Sequence, residues 1–248
     1  MKTDWHNLHS KVQEKRKKVT FNTMQIIAFG FLGVIFLGSI LLYLPISNQE
    51  PIAFMDALFT STSAVCVTGL VTIVPAAQFT VVGKVVLLIL IQIGGLGVIG
   101  CATAFFLLLK KRITLRERVV MQESYSMDGL GGVVGMVRKV ILGTFVVEGV
   151  GALLYAFQFV PEYGLVRGVA YAVFHAVSAF CNAGIDILGA DSLAGYAGNP
   201  LVNFTTMMLV VLSGIGFVVW YDVIGNVRRI YKKEVPKKWW FTLSLIHI

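Results

Sequence analysis

Charged side chains are scarce in this chain. Asp, Glu, Lys and Arg make up 14% of its 248 residues, where a soluble globular domain carries roughly 25%. So little polar surface excludes an ordinary soluble fold and leaves a membrane protein. Cysteine is sparse as well. Cys66, Cys101 and Cys181 lie far apart, with no CxxC or His-paired spacing, which excludes a disulfide framework and a structural zinc site. A secretory signal is also missing: Met1–Thr20 is polar and basic, and the apolar run after it is too long and lacks a small-residue cleavage pattern. No Ser/His pair, Asp pair or HExxH pattern falls within the apolar segments, so the chain is not expected to be an enzyme.

Hydrophobic residues are what the chain has, 56% of it, with a mean hydropathy of +0.79. Ile26–Leu44, Val85–Leu109, Val140–Val160 and Leu201–Tyr221 approach or exceed the ~20 apolar residues a bilayer crossing takes. Ile52–Ala64 and Val169–Ala179 are shorter. At ~1.5 Å per residue each covers roughly half of a ~30 Å hydrocarbon core, which suits a re-entrant half-helix.

The net charge of +8 has a topological origin and does not indicate nucleic acid. Lys and Arg cluster over Lys2–Lys18, Lys110–Lys139 and Arg228–Lys238, whereas the segments holding the two half-spans carry only Lys84 and Arg167. By the positive-inside rule, both termini and the middle loop are cytoplasmic and both half-helices enter from outside. Arg112, Arg116 and Arg118 could also meet anionic lipid.

An octapeptide then recurs: SAVCVTGL at Ser63–Leu70 and SAFCNAGI at Ser178–Ile185. Laying Ala57–Leu70 on Ala172–Ile185 pairs Phe59 with Phe174, Ser63 with Ser178, Cys66 with Cys181 and Gly69 with Gly184. The following spans agree more loosely, with Gly95-Leu-Gly97 against Gly214-Ile-Gly216. Each copy crosses twice, so the copies run parallel. Inverted copies would indicate a rocking secondary transporter; parallel copies about an axis normal to the membrane suit a central pore.

A half-helix descending from outside turns its partly negative C-terminal end toward the bilayer centre. The returning backbone is tolerated there only where it is buried or lines a watery cavity. The carbonyls of Cys66, Val67, Thr68 and Gly69, and of Cys181, Asn182, Ala183 and Gly184, are the expected ligands for a dehydrated cation, the chemistry of potassium-channel filters. Gly69 and Gly184 would supply positive φ or close approach. The competing reading is a buried turn in which each glycine merely caps a helix.

Other residues divide between a role and a bland explanation. Asp186 and Asp191 follow the second octapeptide on the outer side and could gather cations at the mouth, or be ordinary solvated carboxylates. Glu148 is an acid well inside a span and could equally pair with another helix. His175 suits packing better than a proton relay. Gly95-Leu-Gly97-Val-Ile-Gly100 matches the dinucleotide fingerprint, but inside 25 apolar residues its glycines suit close helix packing. Any nucleotide is expected on a partner.

SAVCVTGL, SAFCNAGI and the QIGGLG of Gln92–Gly97 resemble the Trk/Ktr/HKT potassium-transporter superfamily over about Ile26–Tyr231. The short basic N-terminus looks most like the bacterial Ktr membrane subunit. The resemblance implies an all-α membrane protein with two parallel membrane–pore-loop–membrane repeats. Four transmembrane helices and two re-entrant half-helices would form half of a pseudo-fourfold channel-like fold. It implies potassium as the transported ion, sodium as the coupling ion in some members, and no cofactor in this chain. The implied partners are a second copy of the full-length protein, a cytosolic nucleotide-binding regulatory ring and the lipid of the bacterial plasma membrane. Glycine at the last filter position accompanies potassium selectivity in the family, so Gly69 and Gly184 favour potassium. The alternative is a two-pore-loop potassium channel completed by homodimerisation.

The expected boundaries are a cytoplasmic N-terminus at 1–22, a first repeat at 23–110, a cytoplasmic linker at 111–138 and a second repeat at 139–231. Two of the family's four repeats are expected within these residues. The closing Leu243–Ile248 (LSLIHI) reads like a translated sequencing adaptor, so 232–248 is expected to be a truncated cytoplasmic tail with an artefactual end.

Overall fold

The computed structural model describes residues 23–98, 100–103, 115–124, 132–216 and 219–220. The basic N-terminus, Lys110–Arg112 and the tail at 232–248 lie outside the described residues. Among the described residues every regular element is helical, apart from an isolated antiparallel bridge between Asn48 and Phe79.

The helices are α1 (Thr23–Tyr43), α2 (Phe54–Cys66), α3 (Pro75–Gln78), α4 (Val81–Leu96), α5 (Leu115–Ser124), α6 (Val133–Tyr163), α7 (Leu165–Phe180) and α8 (Pro200–Gly214). Helix α1 is 21 residues without a charge, about 30 Å long. It exposes Phe29, Leu32, Phe36 and Leu37, each more than half accessible. A helix apolar on all sides that leaves such residues uncovered is built for lipid.

Helix α6 runs 31 residues, about 46 Å, and overshoots the expected Val140–Val160 at both ends. Its extra N-terminal turns begin after left-handed Gly132 and carry Arg138 and Lys139 on the surface. Part of the expected linker is therefore helical: its end belongs to α6, and α5 lies within it, packed on α1 and α6.

The other two expected spans are not continuous. Helix α4 starts at Val81, four residues before the predicted Val85, because Thr80 caps it by accepting from the Gly83 N–H. It stops at Leu96, where Gly97 takes φ +76°, and helical backbone resumes beyond. Helix α8 starts one residue before Leu201, where Asn199 Oδ1 accepts from the N–H groups of Leu201 and Val202. It ends at Gly214, and Gly216 takes φ +86°. Gly97 and Gly216 are equivalent positions of the two copies, so both second helices break at the same place. Each break frees carbonyls that a nearby side chain recovers: Cys101 Sγ lies 3.9 Å from the Gln92 carbonyl, and Trp220 Nε1 donates to the Leu212 carbonyl at 2.7 Å.

Packing repeats as well. Helix α2 lies against α1 and α4, and α7 lies against α6 and α8, while α4 meets α7 across the two groups. One core holds Leu42, Phe79, Leu87 and Ile91 together with Phe174, Val177 and Ile185. The second is more aromatic, with Tyr155, Phe159, Phe180 and Tyr196. Helices α6 and α7 approach through Gly168, where a Cβ would come within 2.6 Å of the Phe159 carbonyl oxygen and of Val160 Cα. Above α1, Asn48 Nδ2 donates to the carbonyls of Leu42 (2.6 Å) and Leu44 (3.0 Å), and Ser47 Oγ donates to that of Leu41 (2.7 Å). Carbonyls left over at the helix end are thereby satisfied.

Candidate functional site

Both octapeptides begin inside a helix and leave it through the same turn. In the first, the Thr68 N–H reaches back to the Ser63 carbonyl at 2.9 Å; in the second, the Ala183 N–H reaches the Ser178 carbonyl at 2.8 Å. Between them lies a left-handed residue, Val67 (φ +57°) or Asn182 (φ +58°). This is the Schellman closure of a helix. The glycines do not make it, so the reading of Gly69 and Gly184 as simple helix caps is corrected: they come two residues later. Cys66 is still helical and Cys181 is half in its helix, so the non-helical return starts at Val67 and Asn182.

Positive φ recurs at alternate residues, Val67 and Gly69 in one loop, Asn182 and Gly184 in the other. In an extended strand successive carbonyls point to opposite sides; alternating the sign of φ turns neighbouring carbonyls toward one side. The serines fasten each return. Thr68 Oγ1 donates to Ser63 Oγ at 2.9 Å, and Ser178 Oγ donates to the Ile185 carbonyl at 2.5 Å.

The two returns meet. A Cβ on Gly69 would lie 2.6 Å from the Ala183 carbonyl oxygen and 3.6 Å from Gly184 Cα. Gly69 and Gly184, 115 positions apart, therefore lie close together, each in a loop that follows a helix of 13 or 16 residues whose partly negative terminus faces the loop. The second helix, Leu165–Phe180, is longer than the expected Val169–Ala179. Cys66, Thr68, Asn182 and Gly184 are exposed, whereas Cys181 and Ala183 are buried. Among the described residues no group of three His, Cys, Asp or Glu side chains could hold a metal ion. The loops carry main-chain carbonyls together with the side-chain oxygens of exposed Thr68 and Asn182.

Valine is an unusual left-handed residue, since its branched Cβ crowds the backbone at a cost of about 1–3 kcal/mol. Asparagine, found at the equivalent Asn182, tolerates that conformation. Val67→Asn is expected to keep or raise stability by about 1 kcal/mol, read as the melting temperature in detergent. A clear fall would mean that the contact of the Val67 side chain with Gly94 outweighs the strain.

QIGGLG contributes something that the sequence pattern left as generic packing. A Cβ on Gly94 would lie 2.5 Å from the Val65 carbonyl oxygen and 2.9 Å from that of Ala64, at the end of α2. A Cβ on Gly95 would overlap Cys181 Sγ and lie 2.7 Å from Cys181 Cβ. The motif is wedged between the roots of both loops. Its counterpart in α8 is Ser213, which accepts from Asn182 Nδ2 at 2.9 Å. The pairs Val67/Gly94 and Asn182/Ser213 occupy equivalent positions, a signal present in the repeat alignment.

Glu148, on α6, is buried, and its Oε1 accepts from Gln92 Nε2 at 2.9 Å. It does pair with another helix, through the Gln92 side chain of α4. His175 is buried within α7, its Nδ1 lies 2.7 Å from the Tyr171 carbonyl, and it packs edge-on against Tyr155, Phe159 and Phe174. Asp186 accepts from the Leu188 N–H at 3.1 Å, folding the loop after the second return, and exposed Asp191 borders a cleft with Glu162 and Tyr196.

Residues 3–243 match the TrkH family of cation transport proteins, and the chain belongs to it. Within that class it is 43% identical over 212 residues to the Ktr system potassium uptake protein B of Bacillus subtilis, covering 86% of this chain and 47% of that protein. It is 38% identical over 219 residues to the potassium/sodium uptake protein NtpJ of Enterococcus hirae, covering 88% and 48%. A Ktr system potassium uptake protein B from Vibrio alginolyticus is 36% identical over 219 residues, covering 88% and 47%. The chain thus spans about half the length of the relatives it matches. These relatives are transporters by name, in keeping with a chain that was not expected to be an enzyme.

Proposed function

We propose that the chain supplies two carbonyl-lined quadrants of a potassium-uptake pathway across the plasma membrane. The observation that carries this reading is the meeting of the two octapeptide returns, Gly69 against Ala183 and Gly184, on helix ends closed by the same six-residue backbone bond. The ligands are the carbonyls of Cys66, Val67, Thr68 and Gly69 and of Cys181, Asn182, Ala183 and Gly184. Cations shed water and are held by partial charges that cost no reorganisation, weakly enough at each site to move on. The repeats are 23–110 and 139–231, with both half-helices entering from outside and both basic ends cytoplasmic. Asp186 and Asp191 raise the local cation concentration at the outer mouth.

The potassium uptake named for the Ktr relatives supports potassium as the ion, and the potassium/sodium uptake named for NtpJ supports sodium as a coupling ion. The full-length protein works as a homodimer on a cytosolic nucleotide-binding ring. Expression of the full-length protein in a potassium-uptake-deficient strain tests the function. Growth at low potassium and saturable uptake of rubidium as a tracer are expected. Membrane-inserted protein that restores neither would overturn the reading.

A further inference from the structure

Helix α4 has no charge near the loops to fix its rotation, and around it lipid-like side chains offer no direction. A helix in apolar surroundings gains nearly the same contacts whichever apolar face it turns inward. Yet rotation matters here. Gly94 and Gly95 must face Val65 and Cys181, and turning α4 by one residue would drive Ile93 or Leu96 into a loop root. A directed contact ties this stretch to the second repeat: Gln92 Nε2 donates to Glu148 Oε1 at 2.9 Å. The same oxygen lies 4.0 Å from Cys181 Sγ, at the residue directly before the second return. Glu148 is 5% exposed, so water does not compete for the bond and its directionality is kept. One carboxyl oxygen thus touches both the helix that supports the two loops and the root of one of them.

We propose that Glu148 is a positioning residue that sets the register of the second filter loop against the first, acting through Gln92 and not as an ion ligand. This rests on the filter reading above. What it requires of residue 148 is a hydrogen-bond acceptor facing Gln92, which a glutamine also provides.

The test uses the full-length protein, measuring rubidium-tracer uptake with potassium or sodium as competitor, and normalising to membrane abundance. Glu148→Ala is expected to reduce potassium-over-sodium preference about tenfold, the scale of one lost hydrogen bond, with Glu148→Gln restoring most of it. Gln92→Leu is expected to reproduce the Glu148→Ala loss, and the double variant to add little to either, because both remove the same bond. If Glu148→Ala fails to accumulate, Gln92→Leu and Glu148→Gln carry the test alone. Unchanged preference in Gln92→Leu, or a Glu148→Gln variant as impaired as Gln92→Leu or more so, would overturn the proposal. Gly69→Ser separates the two readings. If it shifts preference while Gln92→Leu does not, only the positioning role fails; if Gly69→Ser has no effect, the filter reading itself fails.

Discussion

Gly69→Ser in the full-length protein should lose at least about tenfold of its preference for potassium over sodium, equivalent to ~1.4 kcal/mol at the filter. Two separate penalties act there. At φ +78° any side chain crowds the main chain, at about 1–2 kcal/mol. The new Cβ would also stand 2.6 Å from the Ala183 carbonyl oxygen, a backbone atom that cannot rotate aside. The second loop must move, and with it a carbonyl proposed as an ion ligand. Gly184 provides the internal comparison. Its φ is +64°, but its nearest neighbour would be Gly69 Cα at 3.8 Å, so Gly184→Ala carries the strain without the collision and should be milder. Competition of potassium and sodium against tracer uptake measures both. Unchanged ion preference in Gly69→Ser, or a larger effect at Gly184, would contradict the arrangement.

The second large effect is expected in stability. Gly95→Ala should lower the unfolding free energy in detergent by about 1–3 kcal/mol through overpacking, even though alanine favours a helix by up to ~1 kcal/mol over glycine. The collision prevails because the added Cβ would meet Cys181 Sγ, then Cys181 Cβ at 2.7 Å and its Cα at 3.2 Å. Cys181→Ala removes only the sulfur, so it should rescue Gly95→Ala in part. Gly149 lies inside α6 with nothing within 4 Å of a Cβ. Gly149→Ala should accordingly be neutral or stabilising. Equal melting temperatures for Gly95→Ala and Gly149→Ala would show that α4 does not press on the second loop.

How much of this was legible beforehand depended on whether a feature is local. Apolar run length found α1 and α6, because about 20 predominantly apolar residues in sequence are what a long membrane-type helix requires. It missed the breaks after α4 and α8, because hydropathy averaged over a window does not register a single glycine that reverses φ. Gly97 and Gly216 lie in apolar surroundings that look continuous. The repeat alignment located both returns, yet it assigned the unusual backbone to the glycines alone. Val67 escaped notice because nothing about valine favours a left-handed conformation; the Thr68 N–H bonding back to Ser63 imposes it.

The sequence by itself determined the membrane-like helical class, the duplicated octapeptide and the family, because composition, run length and motif spacing are properties of the chain. Tertiary structure alone decided which faces meet. Leu42 is fully buried while neighbouring Leu41 is 46% exposed, and no scale of hydrophobicity separates two leucines when lipid and protein interior are equally apolar. For the same reason the contacts of Gly69 with Ala183, Gly95 with Cys181 and Gln92 with Glu148 had to be seen in three dimensions.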